Sequence, residues 1–203
     1  MLRRLTLFVC CGLIAASACS RALPAVKDGD VIFQTSLSSQ SVAIQRATHS
    51  RYSHMGIILI RNGQPYVFEA SATVRYTALG KWVARGRDGA AVVKRLRGGL
   101  SASQIDKLRA AARPFAGRPY DLTFEWSDSR LYCSELVWKM YDRAVGIRVG
   151  ELQRLRDFDL SDPVVRAKMK ERYGDAVPLD EQVISPAAMF DSPLLEVVSN
   201  AGT

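Results

Sequence analysis

"SHMGIILIRNGQPYVFEAS", residues 53–71, sets two apolar runs on either side of Asn62-Gly63. That dipeptide is the strongest short-range signal for a two-residue hairpin, because both of its residues tolerate the positive φ that a type I′ turn demands. Met55 to Ile60 becomes one strand and Tyr66 to Ala70 its return strand. The turn also fixes the register: Arg61 faces Gln64, so Gly56 faces Glu69 and His54 faces Ser71. Side chains alternate between faces with a period of two. His54 therefore shares a face with Gly56 and becomes a diagonal neighbour of Glu69, roughly 7–8 Å away at the backbone. A slip of one residue would put the two on opposite faces. The turn chemistry thus predicts an imidazole–carboxylate pair.

Upstream, "KDGDVIFQTS" reads as a turn at Asp28-Gly29-Asp30 leading into a strand, Val31 to Phe33. Ser38 to Thr48 offers serines for capping, then Val42, Ile44 and Ala47 near helical spacing. Downstream, Leu79 to Arg85 reads as a short helical segment and Ala90 to Leu96 as a strand. Lys81, Arg85, Arg87, Lys94, Arg95 and Arg97 form a basic cluster, expected to be a solvated face, with acidic headgroups or wall polymer as the second reading. "SASQIDKLRAAARPF" is a helix with Ser101 and Gln104 at capping-box spacing and Ile105, Leu108, Ala111 and Ala112 as its stripe; Pro114 and Gly117 end it. The next helix lies in "LYCSELVWKMY", residues 131–141, with Leu136, Val137, Met140 and Tyr141 facing inward, Asp128 or Ser129 as cap and Gly146 as its close. Pro163 to Tyr173 is a further helix ended by Gly174, and a last strand spans Leu194 to Val198. Strands cluster early and helices late, which predicts an α+β domain: a mostly antiparallel sheet packed against helices.

At 203 residues, 48% hydrophobic and 24% charged, the chain has the size and composition of one folded domain. The first residues stand apart. "MLRR" is a positive n-region, Leu5 to Ala15 a short apolar run, and Ala16-Ser17-Ala18 a small-residue cleavage pattern. The run is too short to anchor in a bilayer. The expected division is a signal peptide at 1–18, an N-terminal tail at 19–28 and one folded domain at 29–203. Cys19 directly follows the cleavage pattern, so the exported protein is either a periplasmic protein or a membrane-anchored bacterial lipoprotein with Cys19 lipidated; Ala16, where such signals usually carry leucine, keeps both open.

Cys10 and Cys11 leave with the signal peptide, so no disulfide framework remains and Cys133 is a lone thiol within the domain. Loss of Arg3 and Arg4 takes the formal charge from +8 to about +6, which suits a neighbourhood of anionic lipid or wall polymer. No nucleic-acid motif is present.

Cys133 sits where its helix begins. A helix N-terminus and a neighbouring imidazole both favour the thiolate, and the free N–H groups of the first turn can bind an oxyanion. His54 is the candidate base and Glu69 the residue that orients it. His49, the other histidine, lies in a polar stretch and reads as a surface residue. Glu135, Asp121 and Glu125 are rival acids; Glu135 points away from Cys133 along the helix and suits a tether between helix and loop. A zinc site is disfavoured, since the spacing matches no common pattern and a fourth ligand is missing; no metal or cofactor is expected.

These blocks resemble those of papain-like cell-wall hydrolases of the NlpC type. "GRPYDLTFEWSDSRLYCSELV" looks like the "PY" segment and cysteine helix, and "GDVIF", "SHMGIILI" and "YVFEA" look like the strands that follow it there. Here the strands come first. That inverted order is similar to the circularly permuted papain-like amidases of the YiiX/YaeF type and to the lecithin–retinol acyltransferase relatives; the cysteine helix and the tail resemble the YiiX type in particular. The resemblance implies a permuted papain-like fold with Cys133 as nucleophile, His54 as base, Glu69 as third residue and Tyr120 as a pocket residue. Acyltransferase relatives carry a second His at the position of Glu69, so the departure favours amide hydrolysis. The expected activity is cleavage of an amide in a peptide, peptidoglycan-derived or acylated small-molecule substrate at the envelope, through an acyl-enzyme. Lipid ester or thioester hydrolysis, acyl transfer and a non-catalytic envelope-binding module are the alternatives.

Overall fold

The computed structural model describes residues 23–198. The expected signal peptide and Cys19 lie outside the described residues. In chain order the elements are β1 (Val31–Gln34), α1 (Ser41–Thr48), β2 (His54–Arg61), β3 (Gln64–Ala70), β4 (Val74–Ala78), α2 (Leu79–Ala84), β5 (Val92–Leu96), α3 (Ala102–Ala112), α4 (Cys133–Val145), β6 (Gln153–Arg154), α5 (Pro163–Tyr173), β7 (Gln182–Val183), α6 (Pro186–Phe190) and β8 (Leu195–Val197).

Six strands form one antiparallel sheet in the order β4-β3-β2-β1-β5-β8, and β6 pairs with β7 apart from it. The hairpin turns at Asn62 (φ 49°) and Gly63 (φ 73°), with Arg61 opposite Gln64, as the dipeptide requires. β4 has no counterpart in the sequence reading. The chain reverses through Ser71-Ala72-Thr73, which carries neither glycine nor proline, so no turn signal marks it.

Each face of the sheet buries its own cluster. On one side Val31, Phe33, Ile57, Leu59 and Phe68 pack against Leu136, Val137, Met140 and Tyr141 of α4 and Leu108 of α3. On the other, Ile32, Ile58, Val67 and Val93 pack against Trp82. Burying one large apolar side chain stabilises by about 1.5–3 kcal/mol, so α4 is anchored by its whole inward stripe. It is buried on every side from Cys133 to Tyr141.

Several local expectations are corrected. Neither Asp128 nor Ser129 caps α4: Tyr132 is the N-cap residue, and the Glu135 carboxylate accepts from its N–H at 3.3 Å. Asp128 instead pairs with Lys139 at 3.0 Å and Arg143 at 2.7 Å, cations about two and three turns into the helix. The basic cluster is not one solvated face either. Arg85 binds Glu69, Lys94 the Phe190 carbonyl, Arg95 the buried Asp30 and Arg97 Glu196. Alternation along β5 and the turn of α2 send these side chains in different directions. Capping of α1 departs too, since Gln40 is its N-cap and makes no side-chain cap bond. Ser101 and Gln104 do form the capping box of α3.

Candidate active site

The register set at Asn62-Gly63 runs back along the hairpin and sets Glu69 diagonally beside His54. The His54 Nε2 to Glu69 Oε2 distance is 2.7 Å. Gly56 stands between them on that face. A Cβ there would lie 2.4 Å from Val67 Cγ1 and 3.3 Å from Glu69 Cβ, so only glycine leaves the carboxylate its place. His54 is also the first residue of β2, where the N-terminus of α4 arrives, and the Cys133 thiol lies within hydrogen-bonding reach of its ring. With Nε2 committed to Glu69, Nδ1 is the nitrogen left for sulfur. The ring stacks on Trp82, with centroids 5.7 Å apart, and only 12% of its side chain is exposed.

Glu69 has no exposed surface, and its charge is matched by donors on every side. Thr77 Oγ1 donates at 2.6 Å from β4, Trp82 Nε1 at 3.0 Å from α2, and the Arg85 guanidinium closes the set beside α2. A buried carboxylate without such partners costs several kcal/mol. Burial opposes its ionisation, but the bond to His54, with Thr77 and Arg85 behind it, outweighs burial and pulls Glu69 down to about 2. Burial likewise disfavours a charged imidazole, yet hydrogen bonds to Cys133 and Glu69 overcome it and push His54 up to about 9. The ring therefore carries its second proton at neutral pH, held between sulfur and carboxylate. Thr77, Trp82 and Arg85 are the residues that sequence reasoning missed; the "GKWVARG" segment gives no motif that points to the hairpin face.

Of the rival acids, Glu125 is exposed and Asp121 closes a turn by accepting from the Thr123 N–H and hydroxyl, both at 2.8 Å. Glu135 is wholly buried against Lys139 at 2.7 Å and tethers the start of α4. Lys139 also donates to the Ser127 carbonyl at 2.7 Å, so loop and helix are held together, as the sequence suggests. His49 is the exposed, left-handed C-cap of α1. Tyr120 accepts from Gln40 Nε2 at 2.8 Å, and burial together with the nearby Cys133 holds its phenol above the usual range, so it stands as a neutral donor. Among the described residues, no group of three or more His, Cys, Asp or Glu side chains is arranged to hold a metal ion.

Comparison with known proteins agrees with this architecture. Residues 25–199 match the family model of the permuted papain-like amidase enzyme, YaeF/YiiX, C92 family. The uncharacterized protein YiiX of Escherichia coli (strain K12) is 57% identical over 171 residues, 84% of this chain and 85% of that protein. A crystal structure of metalloprotein YiiX from Escherichia coli O157:H7 superposes with a TM-score of 0.84 at 55% identity, covering 87% of this chain and 98% of that one. A helix-borne cysteine preceded in sequence by the strands that carry its partners is what such a permutation produces, and the chain belongs to the permuted papain-like amidase family of the YaeF/YiiX type.

Proposed function

We propose that this protein is a cysteine amidase of the bacterial cell envelope that works through a Cys133–His54–Glu69 triad. The observation that carries the reading is geometric: the His54 ring lies 2.7 Å from a buried carboxylate that also accepts from Thr77, Trp82 and Arg85, and Cys133 acts on the same ring from the first turn of α4. The Cys133 sulfur attacks the amide carbon as thiolate. The oxygen becomes an oxyanion within reach of the first-turn N–H groups of α4 and of the Tyr120 hydroxyl, whose own proton is free because it accepts from Gln40. The C–N bond then breaks, the His54 proton passes to the departing amine, and a thioester on Cys133 remains. Water attacks that thioester with His54, now neutral, taking its proton. A carboxylic acid leaves and the thiolate–imidazolium pair is restored. Glu69 holds the ring and stabilises its cation throughout.

The Escherichia coli O157:H7 relative is described as a metalloprotein, but a metal does not find a ready site at this triad. Glu69 already serves Thr77, Trp82 and Arg85, and the Arg85 cation stands where a metal would need the carboxylate free. No step is assigned to a metal. Envelope placement rests on the first nineteen residues, and membrane association through a lipidated Cys19 is tested by Cys19→Ser, which should move the protein from the membrane to the soluble fraction.

The catalytic reading is tested by iodoacetamide at neutral pH. Cys133 should label faster than free cysteine, and His54→Ala should remove the advantage. Labelling of the wild type at the free-thiol rate would mean that the three side chains serve structure alone.

A further inference from the structure

His54 opens onto a polar cleft whose walls carry one sign of charge. The cleft has a volume of about 410 Å³ and is edged by Ser36, Ser38, Ser39, Ser53, Ser71 and Arg85, with His54 in its lining. Among the described residues, no aspartate or glutamate belongs to that lining. Glu69 has no exposed surface, whereas the Arg85 side chain is 35% exposed. A molecule in the cleft therefore meets the guanidinium and not the carboxylate. Among the described residues the guanidinium bonds only Glu69, through Nη2, so its remaining N–H donors are left for a ligand. His54 Nε2 and Arg85 Nη2 bind the same oxygen, Glu69 Oε2, which sets imidazole and guanidinium side by side. Two further polar atoms of the lining, Gln34 Oε1 and Ser71 Oγ, have no partner among the described residues. Gln34 is 1% exposed and stands directly opposite His54 on β1, so it shares the imidazole's face of the sheet. Buried polar atoms of folded proteins are nearly all paired, so two orphans in one lining mark places that a bound molecule completes.

Resting on the thiol-hydrolase reading above, we propose that this cleft is the leaving-group subsite, and that the amine released there carries an anionic group, a carboxylate or a phosphate, held by Arg85. His54 must give its proton to the departing nitrogen, so the amine lies on the side where His54 lines the cleft. An anion a few bonds from that nitrogen then faces the guanidinium beside the ring. The Ser71 hydroxyl gives it a second donor, and Gln34 Oε1 accepts from an N–H of the amine. A neutral amine would leave the exposed face of Arg85 without a counter-ion, and an amine with a second cation would be repelled by it. Arg85 thereby has two tasks, one toward Glu69 and one toward the substrate. The departure of the amine also runs in reverse. An added amine in the same subsite gives its proton to neutral His54, its nitrogen bonds to the acyl carbon, the C–S bond breaks and the sulfur leaves as thiolate. Capture of the acyl-enzyme by added amines therefore reads the specificity of the cleft, whatever the acyl group.

The test acetylates Cys133 with p-nitrophenyl acetate and lets the acetyl-enzyme partition between water and an added amine: glycine, glycinamide, O-phosphoethanolamine or ethanolamine. Intact-protein mass spectrometry confirms the acetyl group on Cys133, and chromatography measures N-acetyl product against acetate. Each capture rate is expressed per unprotonated amine, with Cys133→Ala subtracting direct reaction of amine and ester. Glycine should be captured over glycinamide, or O-phosphoethanolamine over ethanolamine, by roughly ten- to a hundredfold, the worth of a hydrogen bond to a charged group. The pair that shows the preference tells carboxylate from phosphate. Arg85→Gln should bring both ratios close to unity. Each ratio compares two amines on one acetyl-enzyme, so slower acylation by a disturbed triad does not move it. Ser39→Asp adds an acid at an exposed position of the cleft, leaves Arg85 and the triad in place, and should weaken capture of the anionic amines alone. It decides the matter if Arg85→Gln does not fold. Equal capture of charged and neutral amines by an enzyme acetylated at Cys133, or ratios that neither variant moves, overturns the anion subsite and leaves the thiol hydrolase standing. Absence of acetylation at Cys133 overturns both.

Discussion

Glu69 and Glu135 are both wholly buried and both lie close to Cys133 in the fold, yet they ionise in opposite senses. Burial pushes each toward the neutral acid. Around Glu69 it is overcome by the His54 bond, by Thr77 and by Arg85, and the carboxyl falls to about 2. Around Glu135 it prevails: Lys139 and the Tyr132 N–H recover only part of the lost hydration, and the carboxyl rises to about 7. Depth is the same in the two places, so the supply of donors decides. The first carboxylate is built to hold a permanent charge beside a titrating ring. The second ties a helix to its preceding loop and needs no fixed charge to do so.

The largest break in this contrast is Glu69→Ala. It leaves the Arg85 cation, the Trp82 N–H and the Thr77 hydroxyl facing an emptied site, and removal of one partner of a buried ion pair costs about 3–5 kcal/mol. Thermal unfolding should register that loss. Glu69→Gln keeps the shape and removes the charge, so it separates catalysis from folding: amide turnover is expected to drop by about 10⁴-fold, the loss seen when a triad carboxylate is neutralised. The high-pH limb of kcat/KM, which follows loss of the His54 proton near 9 in the wild type, should move to lower pH in the variant. A limb that stays in place would mean that Cys133 alone sets the imidazole.

The second carboxylate predicts a smaller effect of a different kind. Glu135 binds its proton more tightly folded than unfolded, so between about 4.5 and 7 the native state holds a proton that the unfolded chain has lost, and stability falls as pH rises through that window. His54, also raised, adds stability that is complete below 6.5 and fades as pH climbs to about 9. Its shift corresponds to roughly 3 kcal/mol. Glu69, depressed, adds stability present above 4.5 and lost as pH drops toward 2. Denaturant midpoints should therefore peak near pH 4.5 and decline from there, first through Glu135 and then through His54, with the Glu69 and His54 shifts counted as one interaction. Glu135→Gln should remove the first part of the alkaline decline and leave the part above pH 7 intact, with turnover within a few-fold of wild type. A loss of turnover as large as that of Glu69→Gln would put Glu135 in the chemistry.

The sequence makes one of these carboxylates legible and hides the reasons. Asn62-Gly63 fixes a two-residue turn, a turn fixes register, and register carries eight residues back to His54; every link is local backbone geometry. The partners of Glu69 are not local in that sense. Thr77 arrives on a strand whose preceding turn has no glycine or proline, and Trp82 and Arg85 follow on α2, a helix of six residues with no side-chain cap. Nothing in their own segment says which face of the sheet they will cover. The cap of α4 misleads for a related cause: Asp128 suits a cap by type, but it lies four residues ahead of the N-cap position and two cations of the helix itself claim it. The cavity that Cys133 lines is the least legible part, since its walls belong to α1 and α5, more than a hundred residues apart, and become one surface only when they pack together.

The smallest expected effect tests the same contrast most finely. Trp82→Phe keeps a ring to stack on His54 and removes one donor, the Nε1–H that reaches Glu69 Oε2 at 3.0 Å. If donor supply is what separates the two carboxylates, removing one donor should move Glu69 a little toward Glu135. Its carboxyl should titrate above about 2, and the loss of a hydrogen bond to a charged group should cost about 1.5–3 kcal/mol. The alkaline limb of kcat/KM should shift slightly upward, opposite to Glu69→Gln, because Glu69 is still ionised there and its Oε2 loses a competitor for the His54 proton. NMR titration of the His54 ring reads the change directly. A ring that titrates as in the wild type, in a protein that has lost stability, would assign Trp82 to packing and leave Arg85 and Thr77 as the groups that keep Glu69 ionised.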